Sequence, residues 1–242
     1  MTLFNARPTS AARTLRVLAR LLSYPDATLR RHLPEMHTAL HREAALTAER
    51  LEEMDALMRW MAATTPEQEA LDIEAAYVDL FDRGRASSLH LFEHVHGDSR
   101  DRGPAMIDLA QTFEKAGLFL APGEMPDYLP VVLEYTSTQP PREAKAFLSE
   151  MAHIFNAIFA ALQQRDTRYA SVLGALLELA GEKARPVLVT PDESLDASWE
   201  EPMAFDGCST QGQSHPQHPQ QPQPIHLVRR NATVAAKAGA TA

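Results

Sequence analysis

Between Tyr77 and Gly103 the chain reads YVDLFDRGRASSLHLFEHVHGDSRDRG, a block in which charge and apolar bulk are interleaved. It holds five acids (Asp79, Asp82, Glu93, Asp98, Asp101), four arginines (Arg83, Arg85, Arg100, Arg102) and three histidines (His90, His94, His96). Within it, His90-Leu91-Phe92-Glu93-His94 spells H-x-x-E-H. In zinc peptidases of that signature two imidazoles grip the ion and the carboxylate activates water. Positions i, i+3 and i+4 share one helical face, so the spacing is compatible with that chemistry. Such a site also needs a third protein ligand, for which Glu178 is the one later glutamate in a strongly helical context. It needs strands to hold an extended substrate as well, and the sequence offers none. The reading is therefore no catalytic residue, no metal and no cofactor, with a zinc-dependent peptidase on His90, Glu93 and His94 as the alternative. No G-x-G-x-x-G, P-loop, G-x-S-x-G or C-x-x-C is present to suggest other chemistry.

A second reading treats the block as structure. Asp82-Arg83-Gly84 and Asp101-Arg102-Gly103 could be two salt-bridged turns bracketing a helix. Exposed ion pairs contribute only about 0–1 kcal/mol each, and two turns require fewer charged residues than this block contains. A binding surface accounts for the remainder.

Composition narrows the field. The chain has 242 residues, 45% of them hydrophobic, which is enough to bury a sizeable core. The opening segment is broken by Arg13, Arg16 and Arg20 and does not read as a secretory signal. No run approaches the roughly 20 apolar residues of a membrane span. Cys208, the single cysteine, excludes an internal disulfide and a thiolate cluster. These features place the expected address in the cytoplasm without stable membrane association. Net charge is −9, yet residues 1–42 carry +5, leaving −14 for the rest. That acidic body disfavours nucleic acid and suits a basic or amphipathic partner.

Helical periodicity positions the block. Leu15, Leu18, Ala19 and Leu22 mark a first helix, ended by Ser23-Tyr24-Pro25-Asp26, and Asp26 can cap a second. A third runs from about Thr47 to Ala63. Thr65-Pro66-Glu67-Gln68 is a start signal for a helix burying Ile73, Tyr77, Leu80 and Phe81. Residues 104–116 form another, closed by Gly117, and Asp127 is expected to cap a helix carrying Pro130. Pro140-Pro141 opens the longest, with an apolar stripe from Phe147 to Leu162. A last helix holds Tyr169, Val172, Leu173, Leu176 and Leu177 and ends at Gly181. The fold class is all-α, a single-domain helical bundle at 11–182 after a flexible 1–10. An extended segment at 183–206 then leads into a Pro/Gln-rich tail, 207–242, expected to be disordered.

The central block, LLSYPD at 21–26 and GEMPDYLPVVLEY at 123–135 together resemble the NarJ-type chaperones. These are the molybdenum cofactor assembly chaperones, or delta subunits, of respiratory nitrate reductase, within the redox-enzyme maturation group. The resemblance runs from about Leu15 to Leu179. It implies an all-helical non-enzyme that binds the apo catalytic (alpha) subunit, including its N-terminal leader. Binding would hold that subunit ready for cofactor insertion before membrane attachment, with molybdenum cofactor delivery proteins as a further partner class.

Carried over, the family residues are Tyr77, Leu80, Phe81, Asp82, Arg83 and Gly84, then Glu93, His94, His96, Gly97, Arg100, Asp101 and Arg102. Pro126-Asp127 and Leu129-Pro130 form the second signature. Family members often have histidine where this chain has Tyr128, and His90 falls outside the pattern. The groove expected for the leader is walled by Tyr77, Leu80, Phe81, Leu129, Val132 and Leu133. Its acidic rim is expected from Glu93, Asp98, Asp101, Asp127 and Glu134.

Overall fold

Where side chains cap helix starts among the described residues, they do so in two ways, and the difference shapes the fold. The computed structural model describes residues 10–62, 67–97 and 99–187, excluding the side chains of residues 67–70. The described residues form ten helices: α1 Ala12–Leu21, α2 Ala27–Glu43, α3 Ala48–Ala62, α4 Glu67–Phe81, α5 Leu91–His96, α6 Arg102–Lys115, α7 Leu129–Thr138, α8 Pro141–Glu150, α9 Ala152–Gln164 and α10 Ala170–Ala180. The α2 start is capped locally, Asp26 Oδ1 accepting from the Leu29 N–H at 2.7 Å. Three others take a carboxylate from elsewhere in the chain. Glu43, ending α2, accepts from the Arg13 and Thr14 N–H groups at 3.2 and 2.6 Å and so caps α1. Glu178 of α10 accepts from the Thr47 N–H at 2.6 Å before α3. Asp127 serves α5 from before α7. Each such cap ties two elements together as well as satisfying an orphan donor.

The helices pack around one core. α1 lies against α2 and α7, while α10 lies against α9, α8 and α3. Leu15, Leu18, Leu57, Leu133, Phe155 and Leu173 are among the side chains sealed inside. Tyr169 sits at the hub of an aromatic cluster, with ring centroids of Phe81, Tyr77 and Trp60 at 5.1, 6.0 and 6.0 Å, all near edge-to-face. At the C-terminal ends of α6 and α10 the chain turns through Gly117 (φ +80°) and Gly181 (φ +82°). In each, the next N–H reaches back five residues, Leu118 to Phe113 at 3.0 Å and Glu182 to Leu177 at 2.9 Å, the αL arrangement that glycine permits.

The all-α expectation holds: among the described residues the sole β feature is an isolated bridge between His90 and Tyr128. None of the described helices is long and apolar enough to cross a membrane. Four sequence expectations need correction. The long helix after Pro140-Pro141 is two helices, broken at Met151. The helix expected at 104–116 begins at Arg102, so Asp101-Arg102-Gly103 is a helix start and not a turn. His90 precedes α5 in extended conformation (φ −87°, ψ 104°) and shares no helical face with Glu93 and His94. Asp127 caps α5, whereas α7 starts at Leu129 after an uncapped Tyr128.

Residues 183–187 are non-helical, tied down by Asn156, which exchanges two hydrogen bonds with the Arg185 backbone at 2.8 and 3.0 Å. The Thr65-Pro66 start signal, residues 188–206 and the tail at 207–242 lie outside the described residues.

Candidate functional site

The two segments singled out by sequence, 77–103 and 123–135, meet in space. Around the His90–Tyr128 bridge the backbones pair antiparallel, the Leu91 N–H donating to the Asp127 carbonyl at 3.0 Å and the Leu129 N–H to Leu89 at 2.8 Å. This clip is what brings Asp127 to α5.

Asp127 is fully buried, and its carboxylate is filled by donors. Oδ1 accepts from His90 Nδ1 at 3.2 Å, which fixes the proton on that nitrogen because a carboxylate can only accept. Oδ2 accepts from the Phe92 N–H at 3.3 Å and faces the Arg102 guanidinium at 3.5 Å. Arg102 also meets Glu93 Oε1 at 3.3 Å. One buried anion thus fixes the start of α5 and the start of α6. The hydrogen bond to Asp127 raises the His90 pKa above its ordinary value, against the opposing effect of burial.

The remaining family residues divide by environment. His94 Nε2 donates to the Ser88 carbonyl at 2.8 Å, and His96 stacks edge-on to Phe92 at 5.5 Å. Tyr77 donates to the Leu22 carbonyl at 2.7 Å, and its hydroxyl lies 3.2 Å from that of Tyr128. Burial pushes the Tyr77 pKa strongly upward and the Tyr128 pKa upward as well. Leu80, Phe81 and Pro126 are buried with Tyr77, while Asp82, Arg83, Arg100, Asp101 and Glu134 are exposed. Arg83 pairs loosely with Asp79 at 3.8 Å. Asp98 lies outside the described residues.

Two sequence expectations change here. The proposed groove walls Tyr77, Leu80, Phe81, Leu129, Val132 and Leu133 are all core residues, and Asp127 is too deeply buried to belong to a rim. Nor do the H-x-x-E-H side chains converge: His90 serves Asp127, Glu93 serves Arg102, and His94 serves Ser88. Glu178 is engaged at the start of α3, by Thr47 and by Arg50 at 3.7 Å.

The structure has a different groove, of about 480 Å³, between α1, the end of α6, the loop after it and α7. Its apolar lining includes Phe113, Leu118, Phe119 and Tyr135. Arg16 and Arg20 of α1 contribute cations to its edge, and Glu124 and Glu134 contribute anions. Phe119 is 80% exposed, and Val95, Ile107 and Met125 are exposed in the same stretch of chain. The sequence carried a signal for this surface. Leu118-Phe119-Leu120 is an apolar run in a loop between Gly117 and Gly123, where no helical period assigns it to the core.

Comparison with known proteins shows the family to which the chain belongs. Residues 25–173 match the family model described as nitrate reductase delta subunit. The nitrate reductase molybdenum cofactor assembly chaperone NarJ of Escherichia coli (strain K12) is 43% identical over 196 residues, 76% of this chain and 81% of that protein. The probable chaperone NarW of the same strain is 37% identical over 197 residues, covering 77% of this chain and 80% of its own. A crystal structure of a putative redox enzyme maturation protein from Archaeoglobus fulgidus aligns with a TM-score of 0.48 at 19% identity, over 71% of this chain and 94% of the other. With the family model spanning well over half of its length and the NarJ relative covered over most of its own, this chain belongs to the nitrate reductase delta subunit family.

Proposed function

We propose that this protein is an assembly chaperone for a respiratory nitrate reductase, binding the apo catalytic subunit through that subunit's N-terminal leader. The family membership and the names of the relatives support the chaperone role. The observation that carries the binding mode is the exposed Phe119 in the lining of an apolar groove with both signs of charge at its edge. An amphipathic leader would lay its apolar face on Phe119 and the groove beside it and set its polar residues against Arg16, Arg20, Glu124 and Glu134. The exposed family residues Asp82, Arg83, Arg100 and Asp101, and Asp98 with them, would contact more of the client. The buried ones, Tyr77, Leu80, Phe81, Pro126 and Asp127, would act by holding α5 and α6 in place, together with half-buried Glu93, His94, His96, Arg102 and Tyr128.

The work proposed for this site is reversible shielding of the client. The client would be kept open for molybdenum cofactor insertion, with delivery proteins as a second partner, and kept from the membrane until complete. That role would be carried out in the cytoplasm. Release requires moderate affinity, on the order of micromolar to tens of nanomolar, and burial of the leader's apolar face gives a negative heat-capacity change. The test is co-purification of the apo catalytic subunit with this protein, with and without the subunit's N-terminal segment. Capture of the full subunit and reduced capture of the truncated one are expected. Equal capture of both would remove the leader from the mechanism, and capture of neither would remove the client.

A further inference from the structure

Apart from this surface, α2 and α3 bring together three side chains whose ligand atoms converge. His37 and His41 lie one turn apart on α2, their ring centroids 4.3 Å apart and tilted by 37°. Asp55 comes from α3. Its Oδ1 lies 3.4 Å from His37 Nε2 and 3.0 Å from His41 Nε2, and its Oδ2 lies 3.1 Å from His41 Nε2. One potential ligand atom from each residue falls within 4.8 Å of the other two, and among the described residues these three form the group of histidine, cysteine and acid side chains that does so. We propose that His37, His41 and Asp55 form a binding site for a transition-metal dication, with Zn²⁺ as the ion best matched to the donors.

The geometry and the chemistry agree. Zinc bonds to imidazole nitrogen and carboxylate oxygen are about 2.0–2.2 Å, so neighbouring ligands on a tetrahedron stand roughly 3.3–3.6 Å apart. The two separations to Oδ1, 3.4 and 3.0 Å, lie within a few tenths of an ångström of that edge. Two imidazoles and one carboxylate suit zinc, nickel or copper over calcium or magnesium, which prefer all-oxygen shells. An ion would use both nitrogens at once. The histidine side chains are 51% and 40% exposed, so an ion can enter and water can fill the remaining position, while Asp55, at 18%, is largely shielded from solvent. Bound there, the ion would clamp α2 to α3 from the surface.

The test uses the full chain, stripped of metal by a chelator and titrated with ZnCl₂ at neutral pH by calorimetry, with thermal melts in parallel. Wild type should bind one tight equivalent and melt at a higher temperature with zinc present. His37→Ala/His41→Ala should weaken that equivalent at least roughly tenfold and abolish the zinc-dependent rise in melting temperature. Asp55→Asn keeps a hydrogen-bonding partner for the imidazoles but loses the anionic ligand. It should weaken zinc similarly while melting normally without it, which covers the case of a double variant that folds poorly. His215→Ala/His218→Ala controls for the Pro/Gln-rich tail and should bind as wild type does. Unchanged zinc binding in both the His37→Ala/His41→Ala and Asp55→Asn proteins, or a tight equivalent lost only with His215 and His218, would overturn the proposal.

Discussion

Helices α10 and α6 are of similar length and are put to opposite use. Of the eleven residues of α10, eight are buried, and its neighbours α3, α8 and α9 cover it on several sides. Of the fourteen residues of α6, only Phe113 is buried. The apolar residues of α6 are nonetheless not all turned inward, since Ile107 is exposed along with Val95, Phe119 and Met125 nearby in sequence. Those four are more than half of the seven large hydrophobic side chains exposed among the described residues. Single exposed hydrophobics are ordinary, and four within residues 95–125 make that stretch the one proposed to meet a partner. The packed helix makes the fold and the unpacked one is proposed to carry the docking surface, with Asp127 and its partners setting α5 and α6 in place.

The contrast breaks first where it should be strongest. Leu173→Ala empties space at the centre of α10, and loses about 3 kcal/mol by the usual cost of such a cavity. Denaturant unfolding checks it, and a loss below about 1 kcal/mol would mean that α10 is less central than its burial implies. Asp127→Ala leaves Arg102 and His90 without their buried partner, and should cost about 3 kcal/mol, the lower end for such pairs because both cations are partly exposed. Hydrogen exchange adds the regional readout. Amides of α5 and the start of α6 should lose protection well before those of α10 do.

How far the sequence revealed this follows the same division. Periodicity located the packed helices because burial repeats every turn, and local signals located several of their ends: Asp26 capping Leu29, Gly117 and Gly181 closing α6 and α10. What stayed illegible depended on residues distant in sequence. Asp127 looks like the cap of the helix that follows it, yet the β-clip turns its carboxylate toward Phe92, thirty-five residues back. Glu43 and Glu178 cap α1 and α3 in the same long-range way. The break at Met151 carries no glycine or proline to announce it. Among the family residues, type alone could not sort buried Tyr77 and Phe81 from exposed Asp82 and Arg83. His37 and His41 went unread because their third partner sits on another helix.

A smaller effect comes from pH. The His90 pKa is raised by its hydrogen bond to Asp127, so the stability it adds is fully present below about pH 6.5, the unfolded value. That contribution fades as pH rises through the higher folded value. The melting-temperature gap between wild type and His90→Asn should therefore be widest at mildly acidic pH and narrow upward. A gap that is constant with pH, or that widens toward alkaline pH, would contradict the ion pair. Smallest of all, Ile107→Ser in exposed α6 should change stability by no more than about 0.5 kcal/mol. A larger loss would show that α6 is packed after all.

The central claim is that the exposed region, and not exposed apolar surface in general, receives the client. Calorimetric titration of the catalytic subunit's N-terminal peptide into wild type, Phe119→Asp and Leu71→Asp tests it most directly, because both residues are exposed and Leu71 lies on α4, away from the groove lining. Phe119→Asp should weaken binding at least about tenfold, equivalent to roughly 1.4 kcal/mol, and Leu71→Asp should leave it as it was. Equal affinities in all three proteins, or a loss confined to Leu71→Asp, would contradict the account.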